Sequence, residues 1–391
     1  MDESAPHPAT PLELPSGDLA DSKKAEDFAT TRTRFVPFRF TGSGREYFRI
    51  WIVNLFLTLI TLGIYSAWAK VRKKRYFYGH TWLAGSNFDY HGQPIAILKG
   101  RLIAGALFAA YWAASHFIPR LGTALLLALI LLAPWFIVRS MAFNAHYSSY
   151  RNLRFGFRAD YLDGFRAIWP LVLVPIVTLL LPELDPEDLK TSPKDLWTAF
   201  VPLSIFALVY PYAAGSLKLL HINRSRYGTA PLACSAKVPG FYWIWFEGLC
   251  VALVGAMFLG FVAIVFLRVP VMGIVFTVLA YVMMMTAVVA YTRSRTTNMV
   301  FGATQIDRRM QFISELSATK LAKIYFVNSL AIVISCGLLI PWAIVRVARY
   351  RAEALHLVTD IELDEYLSDL SRSVAATGEE MGEMFDIDLS L

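Results

Sequence analysis

The chain has 391 residues, of which 56% are hydrophobic and only 17% charged. About a quarter of an ordinary soluble domain is charged, so this composition excludes such a domain and points to lipid contact. The formal net charge is +7, but the Lys and Arg residues sit beside apolar runs, which fits membrane orientation better than nucleic-acid binding.

Residues 1–34 carry Asp2, Glu3, Glu13, Asp18, Asp21, Glu26 and Asp27 and no apolar run. They read as a solvated, disordered tail, not a cleavable signal peptide. Apolar runs of roughly 18 residues or more read as membrane spans. Eight candidates follow, at 50–69, 102–118, 121–138, 167–182, 196–217, 241–267, 269–291 and 324–345. The run 167–182 is the shortest and contains Pro170 and Pro175, which neighbouring helices can accommodate. Residues 366–391 are acidic and read as a second disordered tail, leaving 35–365 as the membrane domain. Cys234, Cys250 and Cys336 form no CxxC pair, so the sequence supports neither a disulfide framework nor a zinc site.

The two end runs are copies of one motif. Residues 49–76 read RIWIVNLFLTLITLGIYSAWAKVRKKRY, and residues 323–350 read KIYFVNSLAIVISCGLLIPWAIVRVARY. At one constant offset Asn54 matches Asn328, Gly63 matches Gly337, Trp68 matches Trp342, Arg72 matches Arg346 and Arg75 matches Arg349. Each copy is an apolar run with an internal Asn, broken by Gly, closed by Trp and capped by Arg.

Segments 70–101, 139–166, 218–240 and 292–323 hold more than half of the chain's 37 Lys and Arg residues. They are expected in the cytoplasm, with the acidic loop 183–195 outside. Two topologies satisfy this. One has eight full spans and both termini outside. The other has six spans plus two re-entrant hairpins bending at Gly63 and Gly337, with both termini inside. The short apolar run from Ile64 to Ala69 favours full crossing, because at 1.5 Å per residue it makes a poor returning helix.

The pattern [RK]xxxxN recurs as spans end, at Arg139/Asn144, Lys218/Asn223 and Arg293/Asn298. Short strand-like pieces accompany these ends, at 153–158, 230–237 and 298–306, with others at 36–40, 82–90 and 357–363. The expectation is an all-α polytopic membrane protein with a repeated arrangement and short β-like cytoplasmic segments, which either pair into a small sheet or barrel or stand as independent loops whose apolar residues touch the bilayer surface.

The blocks FRFTGSGREYF (38–48) and LGIYSAWAKVRKKRYFYGHT (62–81) resemble the YjgN-type bacterial inner-membrane proteins. The likeness covers roughly residues 35 to 365. Similar proteins often have Pro where this chain has Ala67, and the second copy keeps Pro341. The resemblance implies a polytopic inner-membrane protein of a Gram-negative bacterium. It supplies no catalytic residue and no substrate.

No phosphate-loop, HExxH or GxSxG motif is present, so neither an enzyme nor a cofactor is expected. His146 and His221 lie near span ends, and interfacial hydrogen bonding accounts for them better than a metal. Glu247, inside an apolar run, is a candidate for binding a cation or proton. Asn54 and Asn328 are candidates to line a polar path or to join helices, and Gly63 and Gly337 to bend them. Lys70, Arg72, Lys73, Lys74, Arg75, Arg346 and Arg349 suit lipid phosphate, and Trp68 and Trp342 suit the membrane interface. Two functions remain. A transporter or channel for a small solute follows from the duplicated, breakable end motifs. A non-transporting scaffold or anionic-lipid-binding protein follows from the basic face. The expected partners are membrane lipids, preferably anionic, and a small solute, with no nucleic acid.

Overall fold

The computed structural model describes residues 34–181, 196–266 and 269–376. Most of the N-terminal tail, the acidic loop 183–195 and residues 377–391 lie outside them. The fold is mostly helical. Among the described residues six helical segments are long and apolar enough to cross a membrane: Pro94–Phe117, Arg120–His146, Tyr161–Thr178, Phe200–Asn223, Val238–Val265 and Val271–Gly302. Their outward side chains are large and apolar, with Met257 76% and Val271 75% exposed, as lipid contact demands.

Neither end motif is one helix. The first is α1 (Gly44–Ile60) and α2 (Ser66–Gly79). Between them come α3 (Pro94–Phe117), α4 (Pro119–His146), α5 (Tyr161–Ile168), a 3-10 turn at Trp169–Val172 and α6 (Leu173–Leu180). Then follow α7 (Leu196–Asn223), α8 (Val238–Val265) and α9 (Pro270–Gly302). The second end motif is α10 (Ala318–Ile334) and α11 (Ile340–Glu353). The apolar run continues unbroken through both turns, so hydropathy alone conceals the reversal.

The two turns use the same hydrogen bonds. The Leu62 and Gly63 amides donate to Leu59 and Thr58 carbonyls, and the Cys336 and Gly337 amides to Val333 and Ile332. Gly63 and Gly337 have φ of +93° and +90°, a region open to Gly at little cost. Thr61 Oγ1 accepts from the Tyr65 amide at 2.9 Å, and Ser335 Oγ from the Leu339 amide at 3.0 Å. The turn amides are therefore satisfied inside the segment. Leu62 is 94% exposed and Ile334 82%, so apolar side chains surround each turn.

Short strands connect the helices. These are β1 (Arg34–Pro37), β2 (Arg39–Phe40), β3 (Thr81–Leu83), β4 (Ser86–Tyr90), β5 (Ser148–Tyr150) and β6 (Leu153–Phe157). Then come β7 (Ser225–Tyr227), β8 (Ala230–Cys234), β9 (Thr304–Ile306), β10 (Met310–Ser314) and β11 (Leu355–Thr359). Neighbours pair antiparallel in the order β1-β11-β10-β9-β8-β7-β6-β5-β4-β3-β2. Four helices hand over to a strand in one way: the Thr81, Ser148, Ser225 and Thr304 hydroxyls donate to the carbonyl four residues back. The strand expected over 298–306 starts later, because α9 runs on to Gly302.

The helices pack in succession, and α11 packs back on α1. Phe40, Tyr47, Tyr76 and Val345 form the core where the two end motifs meet. A side chain at Gly44 would come within 3.2 Å of Trp342, so glycine permits this close approach. Arg349 adds a hydrogen bond to the Gly42 carbonyl at 2.9 Å.

Residues 366–376 correct the sequence expectation. They belong to α12 (Leu363–Ala376), not to a disordered tail. Its acidic residues mask a stripe at Leu363, Leu367, Leu370 and Val374, which packs on strand residues including Tyr150, Tyr227 and Leu357. Burial and the neighbouring Asp307 carboxylate push the Tyr366 phenol up to about 12.

Two outcomes are expected. Thr61→Val leaves the Tyr65 amide without an acceptor and should cost about 1–3 kcal/mol of stability in detergent. Thr58→Val should cost less, because the Thr58 hydroxyl only donates, to the Asn54 carbonyl. Separately, the phenolate absorbance lost in Tyr366→Phe should titrate near 12, not near the ordinary value of about 10. The raised value means that Tyr366 supports the fold fully below pH about 10 and that this support is lost as pH climbs through the folded value.

Candidate functional site

Charged and polar side chains collect where the helices approach the strands. The run 70–75 wraps around α2, so its members face different surroundings. The Arg72 guanidinium lies over the Tyr65 ring at 5.7 Å. The Lys74 ammonium donates to Asn144 Oδ1 on α4 and lies over the Tyr90 ring. Arg75 donates to the Tyr90 carbonyl at 3.3 Å. Lys70 and Lys73 are exposed.

Lys73 lines a cavity of about 590 Å³ shared by α2, α9, α10 and α11. Arg293 and Arg351 line it too, and Met285, Ile332, Ile340, Ile344 and Val347 supply apolar wall. Both α9 and α11 run toward the strands, whereas α10 runs away from them. Arg293 and Arg351 therefore sit at the strand end of the cavity, with Met285, Ile332 and Ile340 at the far end. The Arg293 guanidinium donates to Tyr325 Oη at 3.2 Å and lies over that ring. Lys218 on α7 lies over the Phe241 ring and within electrostatic reach of Arg293 and Arg351.

Lys73, Arg293 and Arg351 thus line one cavity from three helices, and Lys218 lies near two of them. Among the described residues none of them has a carboxylate within ion-pair distance. The Lys73, Arg293 and Arg351 residues are exposed, so hydration tolerates their like charges and they remain available to an anion.

The remaining predicted residues divide by role. Asn223 Oδ1 accepts from the Cys234 amide at 2.6 Å, and Asn298 Oδ1 from the Leu316 amide at 3.0 Å. These asparagines staple loops to helix ends. Asn144 bridges α2 and α4 through Lys74, and its Nδ2 donates to the Ser140 carbonyl. Arg139 keeps a buried Nε without a partner. Glu247 accepts from Tyr291 Oη at 2.9 Å, and the Arg295 guanidinium covers the same ring. It joins α8 to α9 and is not part of the cavity lining. Trp68 stacks on Tyr65, and Trp342 lies beneath the Arg346 guanidinium.

Asn54 and Asn328 are 7% and 5% exposed. Asn328 Nδ2 donates to the Ala343 carbonyl at 3.2 Å, which ties α10 to α11. The Oδ1 atoms of both asparagines are buried without a hydrogen-bond partner. Asn328 lines the cavity, and Asn54 is not among its lining residues. Arg351 and Tyr325 are not among the residues singled out from the sequence. Their signal is spacing: Ile344, Val347 and Arg351 share one face of α11, apolar below and charged at its end.

Comparison with known proteins gives a consistent family. Inner membrane protein YjgN of Salmonella typhimurium is 32% identical over 142 residues, covering 36% of this chain and 35% of that protein. Inner membrane protein YjgN of Escherichia coli strain K12 is 32% identical over 146 residues, covering 36% and 35%. The chain therefore spans about a third of the length of these curated relatives. No solved structure matches. With six apolar helices able to cross a bilayer, the protein is a multi-pass protein of the bacterial inner membrane. The family described as "Bacterial protein of unknown function (DUF898)" matches residues 35–384, and the chain belongs to it.

Proposed function

We propose that this is a non-enzymatic membrane protein that binds an anionic amphiphile, a lipid-like molecule with a phosphate or carboxylate head. One observation carries the reading: among the described residues Lys73, Arg293 and Arg351 stand unpaired by carboxylates at one end of a largely apolar cavity. A head group would meet the cations, and an apolar body would follow the walls toward Ile332 and Ile340. A small polar solute would leave those walls without a partner.

The proposed topology is six spans and two re-entrant hairpins, with the strands in the cytoplasm. It is supported by the basic residues near the strands and by hairpin arms that begin and end there. With 17 residues α1 is about 25 Å long, short of a core of about 30 Å. The repeated unit would be a helical hairpin between two strands, which the matched turn bonds and hydroxyl hand-overs support. Transport is the second reading. It is favoured by the broken helices at Gly63 and Gly337, since discontinuous helices accompany many substrate paths.

Binding is tested on the purified full chain with dodecyl phosphate and, as zwitterionic control, dodecylphosphocholine. Dodecyl phosphate should raise the unfolding temperature in a concentration-dependent way, and Arg293→Gln with Arg351→Gln should abolish the rise. Equal responses to both amphiphiles, or an unchanged rise in the double variant, would sink the proposal. Movement of radiolabelled dodecyl phosphate between leaflets of proteoliposomes would add transport to binding.

Topology is tested with single cysteines replacing Thr41, Asp89 and Asp360 in a background lacking Cys234, Cys250 and Cys336. The arrangement predicts that an impermeant reagent reaches none of the three in intact cells and all three after permeabilisation. Labelling of positions 41 and 360 from outside would establish eight full crossings instead.

A further inference from the structure

The cations of the cavity do not belong to the repeated motif. At the offset that relates the two end hairpins, Lys73 matches Val347 and Phe77 matches Arg351. All four line the cavity, so α2 and α11 turn equivalent faces toward it. The arginines that the two copies share are Arg72 with Arg346 and Arg75 with Arg349. None of these is among the lining residues. Shared charge therefore goes with the hairpins, and unshared charge goes with the cavity.

Helix direction aims these cations inward. Each of α2, α9 and α11 runs toward the strands, and side chains on a helix tilt toward its N-terminus. Lys73, Arg293 and Arg351 therefore lean away from the strands and into the cavity. The Arg293 guanidinium uses one N–H on Tyr325 Oη and keeps its others, while an ammonium offers three donors and a free guanidinium five. The lining contains no carboxylate and no imidazole; its titratable groups are the three cations and Tyr325. Lys218 places a further positive charge near Arg293 and Arg351.

Resting on the amphiphile reading above, we infer that the head of the ligand is a dianionic phosphate monoester, held jointly by Lys73, Arg293 and Arg351. A carboxylate offers one charge and two oxygens in a single plane. A phosphate monoester offers three diverging oxygens and, above its second ionisation at about pH 6, close to two charges. Cations reaching in from three helices match the second shape and not the first. A phosphate esterified at a second oxygen, as in most bilayer phospholipids, has one charge and two free oxygens. The cavity therefore selects the monoester from among the diesters that surround it.

The experiment compares dodecyl phosphate with its methyl ester, which keeps the chain but loses one charge and one free oxygen. Binding to the purified full chain is measured by calorimetry in a non-ionic detergent. At about pH 8 the monoester should bind about tenfold tighter, the lower end of what one further charge-assisted hydrogen bond contributes. At about pH 5 the monoester carries a single charge, and the gap should close. Lys73→Gln should narrow the gap at the higher pH. Lys99→Gln, which removes an exposed α3 cation outside the lining, should leave it unchanged. Equal affinity of the wild type for both compounds at the higher pH overturns the phosphate inference and leaves the amphiphile reading standing. A gap that persists at the lower pH, or survives in Lys73→Gln, also overturns it. Binding of neither compound defeats the amphiphile reading and this inference together. Should Lys73→Gln fail to fold, the wild-type comparison at the two pH values alone decides.

Discussion

A chain that reverses direction inside hydrocarbon has to satisfy its own backbone, because no water is there to do it. On the proposed topology both end hairpins reverse inside the bilayer, and they meet this constraint with one solution. A glycine in the left-handed region lets its amide reach back to the preceding helix, and a hydroxyl at the helix end accepts from the first amide of the return arm. The rest of the architecture depends on this, since without a quiet turn neither hairpin could come back to the strands from which it left. Thr61 and Ser335 are as necessary to the turn as the glycines, and their small polar side chains are easily overlooked in an apolar run.

Returning each hairpin to one level concentrates charge there. Lys73 and Lys74 are adjacent in sequence yet meet different surroundings: Lys74 is held by Asn144 and Tyr90, while Lys73 opens into the cavity. The same division recurs along the basic helix ends. Asn144, Asn223 and Asn298 serve the scaffold, while Lys218 and Arg293 are left to face Arg351. A motif that looks uniform in the sequence thus gives each asparagine a scaffold bond and its cations different surroundings, since the Arg139 Nε is buried while Arg293 lines the cavity.

The sequence made some of this legible. The duplicated end motifs were visible because identical residues recur at one offset, and the six long spans because hydropathy needs no tertiary context. The helix break at Gly63 was legible only as one of two alternatives, and full crossing was favoured over it, because apolar residues continue on both sides and only backbone bonding distinguishes a turn from a crossing. Glu247 stood out as a lone intramembrane carboxylate, but its partner Tyr291 lies on another helix, which no local pattern reveals. The apolar stripe of α12 was hidden among carboxylates, and the cavity required the folding together of α2 and α11 from opposite ends of the chain.

That last contact has a consequence for biosynthesis. The Gly44–Trp342 approach and the Phe40–Tyr47–Tyr76–Val345 core join hairpins that the chain separates by all of its long apolar helices. The first hairpin must therefore wait, unpartnered, until the ribosome has made α11. A nascent chain arrested before residue 340 would hold a helical succession with a gap, and the cavity with its cations would come into being only once α11 had packed against α1.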